Sequence, residues 1–213
     1  MAQTTKAAVR EVVSGEPAAR PWNSTRSLVL SNLLTIVLAV VQRWSLWEVM
    51  WIYWGQSVVI GYYNWRKIRR LEDFSTDNFT INDRPVAPTP AVRRQVAWFF
   101  ALHYGMFHFV YMMFLLIGIG DMSWFGALGA IVCVAVFAAN HRRSFQQSLP
   151  SFVRRKPNIG TVMFFPYARI VPMHLTLVLG HLLGIRSAGA MVMFLGLKTG
   201  ADVVMHRIEH RND

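Results

Sequence analysis

Charge is what this sequence has least of. Only 15% of its 213 residues are Asp, Glu, Lys or Arg, against about 25% in an average soluble domain. A soluble fold needs such side chains to keep its surface in water. Their deficit, beside 54% hydrophobic residues gathered into long runs, points to a bilayer as the solvent. Cysteine is almost missing: Cys133 is the only one, which excludes an intrachain disulfide and any C-x-x-C metal or redox site. Residues 1–25 lack an apolar stretch long enough for a signal peptide. With Lys6, Arg10 and Arg20, they are expected to stay as a polar cytoplasmic tail. No internal repeat of fixed period is visible. The net charge of +11 lacks the continuous basic face that a nucleic-acid reader needs, so no nucleic-acid partner is expected. Cations set between apolar runs serve topology and meet anionic lipids of the bilayer instead.

What is present is a series of spans. A membrane helix needs about 20 mostly apolar residues. Candidates run from about Ser27 to Gln42, Leu46 to Tyr63, Val96 to Gly118, Met122 to Asn140, Thr161 to Leu183, and Ser187 to about Met205. Very short links, Arg43-Trp44-Ser45 and the turn at Asp121, alternate with longer ones. That alternation gives three helical hairpins.

The cations then fix the orientation. Eighteen Lys and Arg fall on the tail, the second and fourth connections and the C-terminal end, and only Arg43 and Arg186 fall opposite. By the positive-inside rule both termini face the cytoplasm. Trp44, Trp47 and Trp51 at one boundary and Trp65 and Trp98 at the other suit an interfacial aromatic belt. Residues 66–95 form the cytoplasmic loop, with acids at Glu72, Asp73, Asp77 and Asp83 and prolines at Pro85, Pro88 and Pro90. The fourth span carries Gly126, Gly129, Ala130, Cys133, Ala135 and Ala138. Small residues allow close helix approach, so this span is expected at the centre of the packing.

An ionisable group inside a membrane costs several kcal/mol unless it is satisfied, which makes each one a functional candidate. The third span holds His103 and His108, the fifth Arg169 and His174, the sixth Lys198 and Asp202, followed by His206 and His210. At about 1.5 Å of rise per residue, His103, Arg169, Lys198 and Asp202 fall in the cytoplasmic half, and His108 and His174 near the midplane. Lys198, Asp202 and His206 share one stripe of the sixth span at helical spacing. Pro166 and Pro172 remove backbone donors from the fifth span and are expected to kink it.

Four readings fit this set. Asp202 pairs structurally with Arg169 or Lys198. Alternatively, Asp202, His206 and His103 hold a divalent metal, since carboxylate and imidazole suit zinc or a similar ion, although Arg169 and Lys198 at similar depth repel it. Or Asp202 and the histidines exchange protons while Arg169 holds an anion. The last is a cationic pocket for lipid phosphate. Serine hydrolase chemistry has little support, because Gly55-Gln56-Ser57 lacks the glycine that completes the nucleophile turn.

Three segments carry a resemblance: Phe100-Ala101-Leu102-His103-Tyr104-Gly105-Met106-Phe107-His108-Phe109, Pro166-Tyr167-Ala168-Arg169, and Gly196-Leu197-Lys198-Thr199-Gly200-Ala201-Asp202. They resemble a family of small bacterial multi-pass membrane proteins catalogued only as a domain of unknown function. The resemblance covers most of residues 25–210 and implies a membrane location but no activity. Intramembrane histidines among six helices are also similar to rhomboid proteases, whose serine motif at the start of the fourth helix is absent here. Asp202 and His206-x-x-x-His210 resemble the zinc-dependent membrane hydrolases related to ceramidases and adiponectin receptors. Those have seven helices and a Ser-x-x-x-His element that this chain lacks.

The expectation is therefore an all-α integral membrane bundle of six transmembrane helices in three hairpins. Residues 26–210 form the domain, both termini are cytoplasmic, and the location is a bacterial inner membrane. A polar cavity is expected among the third, fifth and sixth spans. As an enzyme, it would hydrolyse a lipid or peptide bond with a metal on His103, Asp202 and His206. Arg169 would stabilise negative charge there, with Lys198 and His174 beside it. As a proton-coupled transporter of a small solute it would use the same residues. As a membrane scaffold it would need them only for structure.

Overall fold

The computed structural model describes residues 46–117 and 122–175, together with 189, 192–193, 195–197 and 199–201. The expected first span, and Lys198, Asp202, His206 and His210, lie outside the described residues.

The described chain is mostly helical. Helix α1 (Leu46–Arg69) opens with Glu48 in its first turn and closes with Arg66, Lys67 and Arg69 in its last. Acid at the start and base at the end both suit the helix dipole. Helix α2 (Pro90–Ile117) starts six residues before the expected span. Proline is well placed at a first helical position, and the Thr89 hydroxyl accepts from Val92 N at 3.3 Å as a cap. Helix α3 (Trp124–Arg154) is capped by Ser123, whose hydroxyl accepts from Gly126 N at 2.9 Å. It runs well past the expected end at Asn140, through Pro150, because Phe145 is buried and anchors the extension. At about 1.5 Å per residue α2 is about 42 Å long and α3 about 46 Å, so both exceed a hydrocarbon core of about 30 Å.

The sidedness of the packing follows from paired contacts. Trp65 meets Trp98 at 6.4 Å between ring centroids, and Trp54 reaches His108 O, so α1 and α2 are antiparallel. Glu48 meets Ser123 and Tyr63 meets Phe145, so α1 and α3 are parallel. The alternation expected for the second, third and fourth spans is what these three helices show. It gathers Arg66, Lys67, Arg69, Arg70, Arg93, Arg94, Arg142 and Arg143 at one end.

Among the described residues the centre of the packing is α1 rather than the helix rich in small residues. A Cβ on Gly55 would come within 2.6 Å of Val134 Cγ2, and one on Gly61 would strike the Tyr104 ring. Both neighbours therefore approach α1 closely because these two positions have no side chain. On α3, Gly126 likewise lies tight against the Glu48 side chain of α1, whereas Gly129 meets nothing within 4 Å among the described residues. Ala127, Ala130, Ala135 and Ala138 line an apolar groove of about 810 Å³ facing Trp51 and Trp54. The core proper is built of Met50, Tyr53, Ile68, Leu71, Phe100, Leu115, Ile159 and Met173, and Leu195 joins it.

The connection after α1 is ordered. Strands β1 (Thr80–Ile81) and β2 (Arg84–Pro85) pair antiparallel around Asn82-Asp83, both at positive φ (51° and 60°). Two left-handed residues are what a tight two-residue hairpin demands, and Asn and Asp tolerate them best after glycine. This small hairpin, with a parallel bridge between Ser75 and Asn158, departs from an all-α plan. The connection also docks on the chain after α3. Ser75 N donates to Pro157 O, Ile159 N to Ser75 O and Asn158 Nδ2 to Asp77 O. Lys156 pairs with Asp73 at 2.6 Å.

From there α4 (Ile159–Phe164), capped by Asn158, tightens into a 3-10 turn over Phe165–Arg169 before the helix resumes over 170–175. Pro166 has no N–H and its ring displaces the preceding turn, so where a kink is expected the chain tightens into a 3-10 turn, while Pro172 lies within the resumed helix.

Candidate functional site

The site is built where α2 faces α1 and the 3-10 turn. His103, His108 and Tyr111 all lie on α2, together with Phe100, Tyr104 and Phe107. His103 is half-buried, and its Nδ1 lies 2.9 Å from the Tyr167 hydroxyl. Tyr167 is brought there by the turn at Pro166. His108 is 5% exposed, and its Nδ1 lies 2.9 Å from Tyr104 O. A carbonyl only accepts, so in the neutral ring the proton sits on Nδ1 and Nε2 presents a lone pair. Further along α2, the Tyr111 hydroxyl faces His174 Nδ1 at 3.4 Å, a long contact.

These rings form a continuous file. Centroid separations are 5.6 Å from His103 to Tyr167, 5.5 Å from Tyr167 to Tyr104 and 4.2 Å from Tyr104 to His108. They are 6.3 Å from His108 to Tyr111 and 6.3 Å from Tyr111 to His174. The eight helical steps from His103 to Tyr111 cover about 12 Å of helix axis. The file therefore runs through a large part of a hydrocarbon thickness.

Helix α1 forms its back wall. Tyr104 OH donates to Ser57 O at 3.1 Å, and Trp54 Nε1 donates to His108 O at 2.8 Å. Ser57 is 2% exposed, and its own hydroxyl has no hydrogen-bond partner among the described residues. Tyr53 holds Arg169 in two ways: its hydroxyl donates to Arg169 O at 3.0 Å, and its ring lies 5.0 Å under the guanidinium. Tyr53 adjoins Trp54, so Arg169 is held at the level of His108 rather than beside His103.

Of the residues expected at the site, His103, Arg169 and His174 are thus placed along one wall, with the third and fifth spans adjacent. Lys198, Asp202 and His206 fall outside the described residues. Among the described residues no three His, Cys, Asp or Glu side chains converge as a metal group. The tyrosines Tyr53, Tyr104, Tyr111 and Tyr167 escaped the sequence reading, which weighed only charged groups and histidines. A signal was there, because Tyr104 and Tyr111 stand four before and three after His108 and so share its helix face.

No curated protein and no solved structure matches the chain. A family model does, over residues 15–213. The chain with this His–Tyr wall belongs to the family of unknown function DUF6498.

Proposed function

We propose that this chain is a multi-pass protein of a bacterial cytoplasmic membrane. Its basic end faces the cytoplasm, and its His–Tyr file exchanges protons to drive passage of a small solute. Support for the bilayer comes from the outward faces. The apolar stretches Pro90–Leu116 and Trp124–Arg154 are long enough to cross, yet only 28% and 6% of their most hydrophobic windows are buried. Leu102 is 71% exposed and Phe125 82%. In water such faces would exceed the few hundred Å² of contiguous apolar surface a soluble monomer tolerates. In lipid they need no cover. The concentration of cations at one end among the described residues suits the positive-inside rule.

The proton reading rests on one observation, the file of titratable rings in contact from His103 to His174, hydrogen-bonded to one another at its two ends, His103–Tyr167 and Tyr111–His174. Imidazole and phenol both donate and accept, and chains of such groups inside a bundle serve as proton relays. Arg169, held at mid-file by Tyr53, supplies a fixed cation for an anionic solute or for the deprotonated state.

The test is electrical. Proteoliposomes on a solid-supported membrane are exposed to gradients of amino acids, organic acids, sugars and metal cations at two pH values. The account expects a solute-dependent current that a pH gradient enhances and that falls at least tenfold in His103→Gln. Absence of current across the panel would count against it.

One observation favours a metal-dependent hydrolase as the second reading. His103 bonds Tyr167 through Nδ1, which leaves Nε2 for an ion, as in metal-ligating histidines oriented by an outer oxygen. One tightly held zinc per chain, lost in Asp202→Ala and His103→Gln, would transfer the assignment to that reading.

A further inference from the structure

A stripe along the last turns of α1 has no role in the proton file. Tyr62, Trp65, Arg66 and Arg69 follow one another at helical spacing and share a face. Trp98 of α2 continues it, 6.4 Å from Trp65 between centroids. The Arg69 guanidinium lies 4.7 Å over the Trp65 ring. That of Arg66 lies 5.8 Å from the Tyr62 ring and 5.4 Å from the Phe145 ring. Neither arginine has a carboxylate or hydrogen-bond partner among the described residues. A guanidinium laid flat on an aromatic ring keeps its donor edge free for an oxyanion. Just below the arginines, Tyr62 is 51% exposed, Trp98 62% and Leu102 71%.

The stripe thus joins two fixed, uncompensated cations to an aromatic rim and an apolar wall, in that order along the helix axis. We infer that it is a binding site for the headgroup of an anionic phospholipid of the cytoplasmic leaflet. Arg66 and Arg69 would hold the phosphate, and the Leu102 face would meet an acyl chain. Charge complementarity selects the partner, because a zwitterionic headgroup brings its own cation and gains less from two arginines. Continuity with the apolar face selects a lipid over a free anion. The inference rests on the membrane reading above, but not on the proton reading.

The experiment is native mass spectrometry of the full chain, released from nanodiscs holding equal phosphatidylglycerol and phosphatidylcholine. We expect phosphatidylglycerol to be retained at least fivefold over phosphatidylcholine. Arg66→Gln with Arg69→Gln should abolish the preference, and Arg142→Gln with Arg143→Gln, an equal change of charge at the same end, should leave it. Equal retention of the two lipids by the unaltered protein would overturn the inference without any variant. So would equal loss in both double variants, which would mean diffuse attraction, or displacement by millimolar inorganic phosphate, which would mean a simple anion site. Release of the chain from native membranes by alkaline carbonate would instead refute the membrane reading itself.

Discussion

At the scale of single residues, the hydroxyl of Tyr167 is the group whose removal tests most with least disturbance. Tyr167→Phe keeps the ring contacts to Phe100, Phe107 and Tyr104 and deletes the bond to His103. One such bond is worth about 1 kcal/mol, so abundance should hold while solute-driven current falls by an order of magnitude. Ser57 makes the opposite case. Its buried hydroxyl lacks a partner among the described residues, so Ser57→Ala should be neutral or stabilising by up to about 1 kcal/mol, read as the thermal midpoint in detergent. Gly61→Ala drives a methyl into the Tyr104 ring and should cost about 1–3 kcal/mol, as overpacking does. Gly129→Ala enters open space and should be neutral or gain up to about 1 kcal/mol from helix propensity. Equal midpoints for the two glycine variants would contradict the placement of α1 at the centre of the packing.

Those residues also show what the sequence could and could not tell. His103, Arg169 and His174 stand out because an ionisable side chain in an apolar run demands a reason. The tyrosines that join them do not, since a tyrosine in such a run is ordinary until a partner from another helix is known. Gly55 and Gly61 carry no packing signal in the sequence for a similar reason. The fourth span has more small residues, but composition does not say which face meets a neighbour. Only the contacts with Val134 and Tyr104 do.

At the scale of elements, the starts and interruptions were the more readable features. Pro166 lies where the fifth span tightens, but the short link near Asp121 does not make α2 and α3 a closely packed hairpin, since both pack chiefly on α1. The far end of α3 was not legible, because Arg142 and Arg143 read as the close of a span, whereas Phe145 carries the helix on by burying its ring. The hairpin at Asn82-Asp83 hid among polar loop residues. It yields a prediction: Asp83→Gly relieves a left-handed residue and should leave the connection intact, whereas Asp83→Val should destabilise it by about 1–2 kcal/mol. Gly160 packs against Phe79, where a Cβ would approach to 2.8 Å. Gly160→Leu should therefore lift the docked connection and expose residues 70–89 to trypsin. Unchanged cleavage would contradict the docking of this segment on residues 156–160.

At the scale of the whole molecule, α1 and α3 run parallel and α2 runs against them, so Asn82 and Trp124 belong to opposite ends. In a Cys133→Ala background, an impermeant maleimide added to intact cells should label Trp124→Cys and spare Asn82→Cys until the cells are opened. The reverse pattern would invert the assigned orientation, and labelling of both would refute the bilayer reading. The same geometry gives the file its sense of direction, with His103 nearer the basic end and His174 beyond it.

The most direct test of that file measures protons themselves. Proteoliposomes loaded with the pH dye pyranine are energised by a potassium gradient and valinomycin, then given the solute that evoked current. The account predicts solute-dependent internal acidification by the unaltered protein, with loss of most of it in Tyr167→Phe and retention in Gly129→Ala. Acidification of equal rate in Tyr167→Phe, with equal protein inserted, would contradict the claim that the His–Tyr file carries the proton.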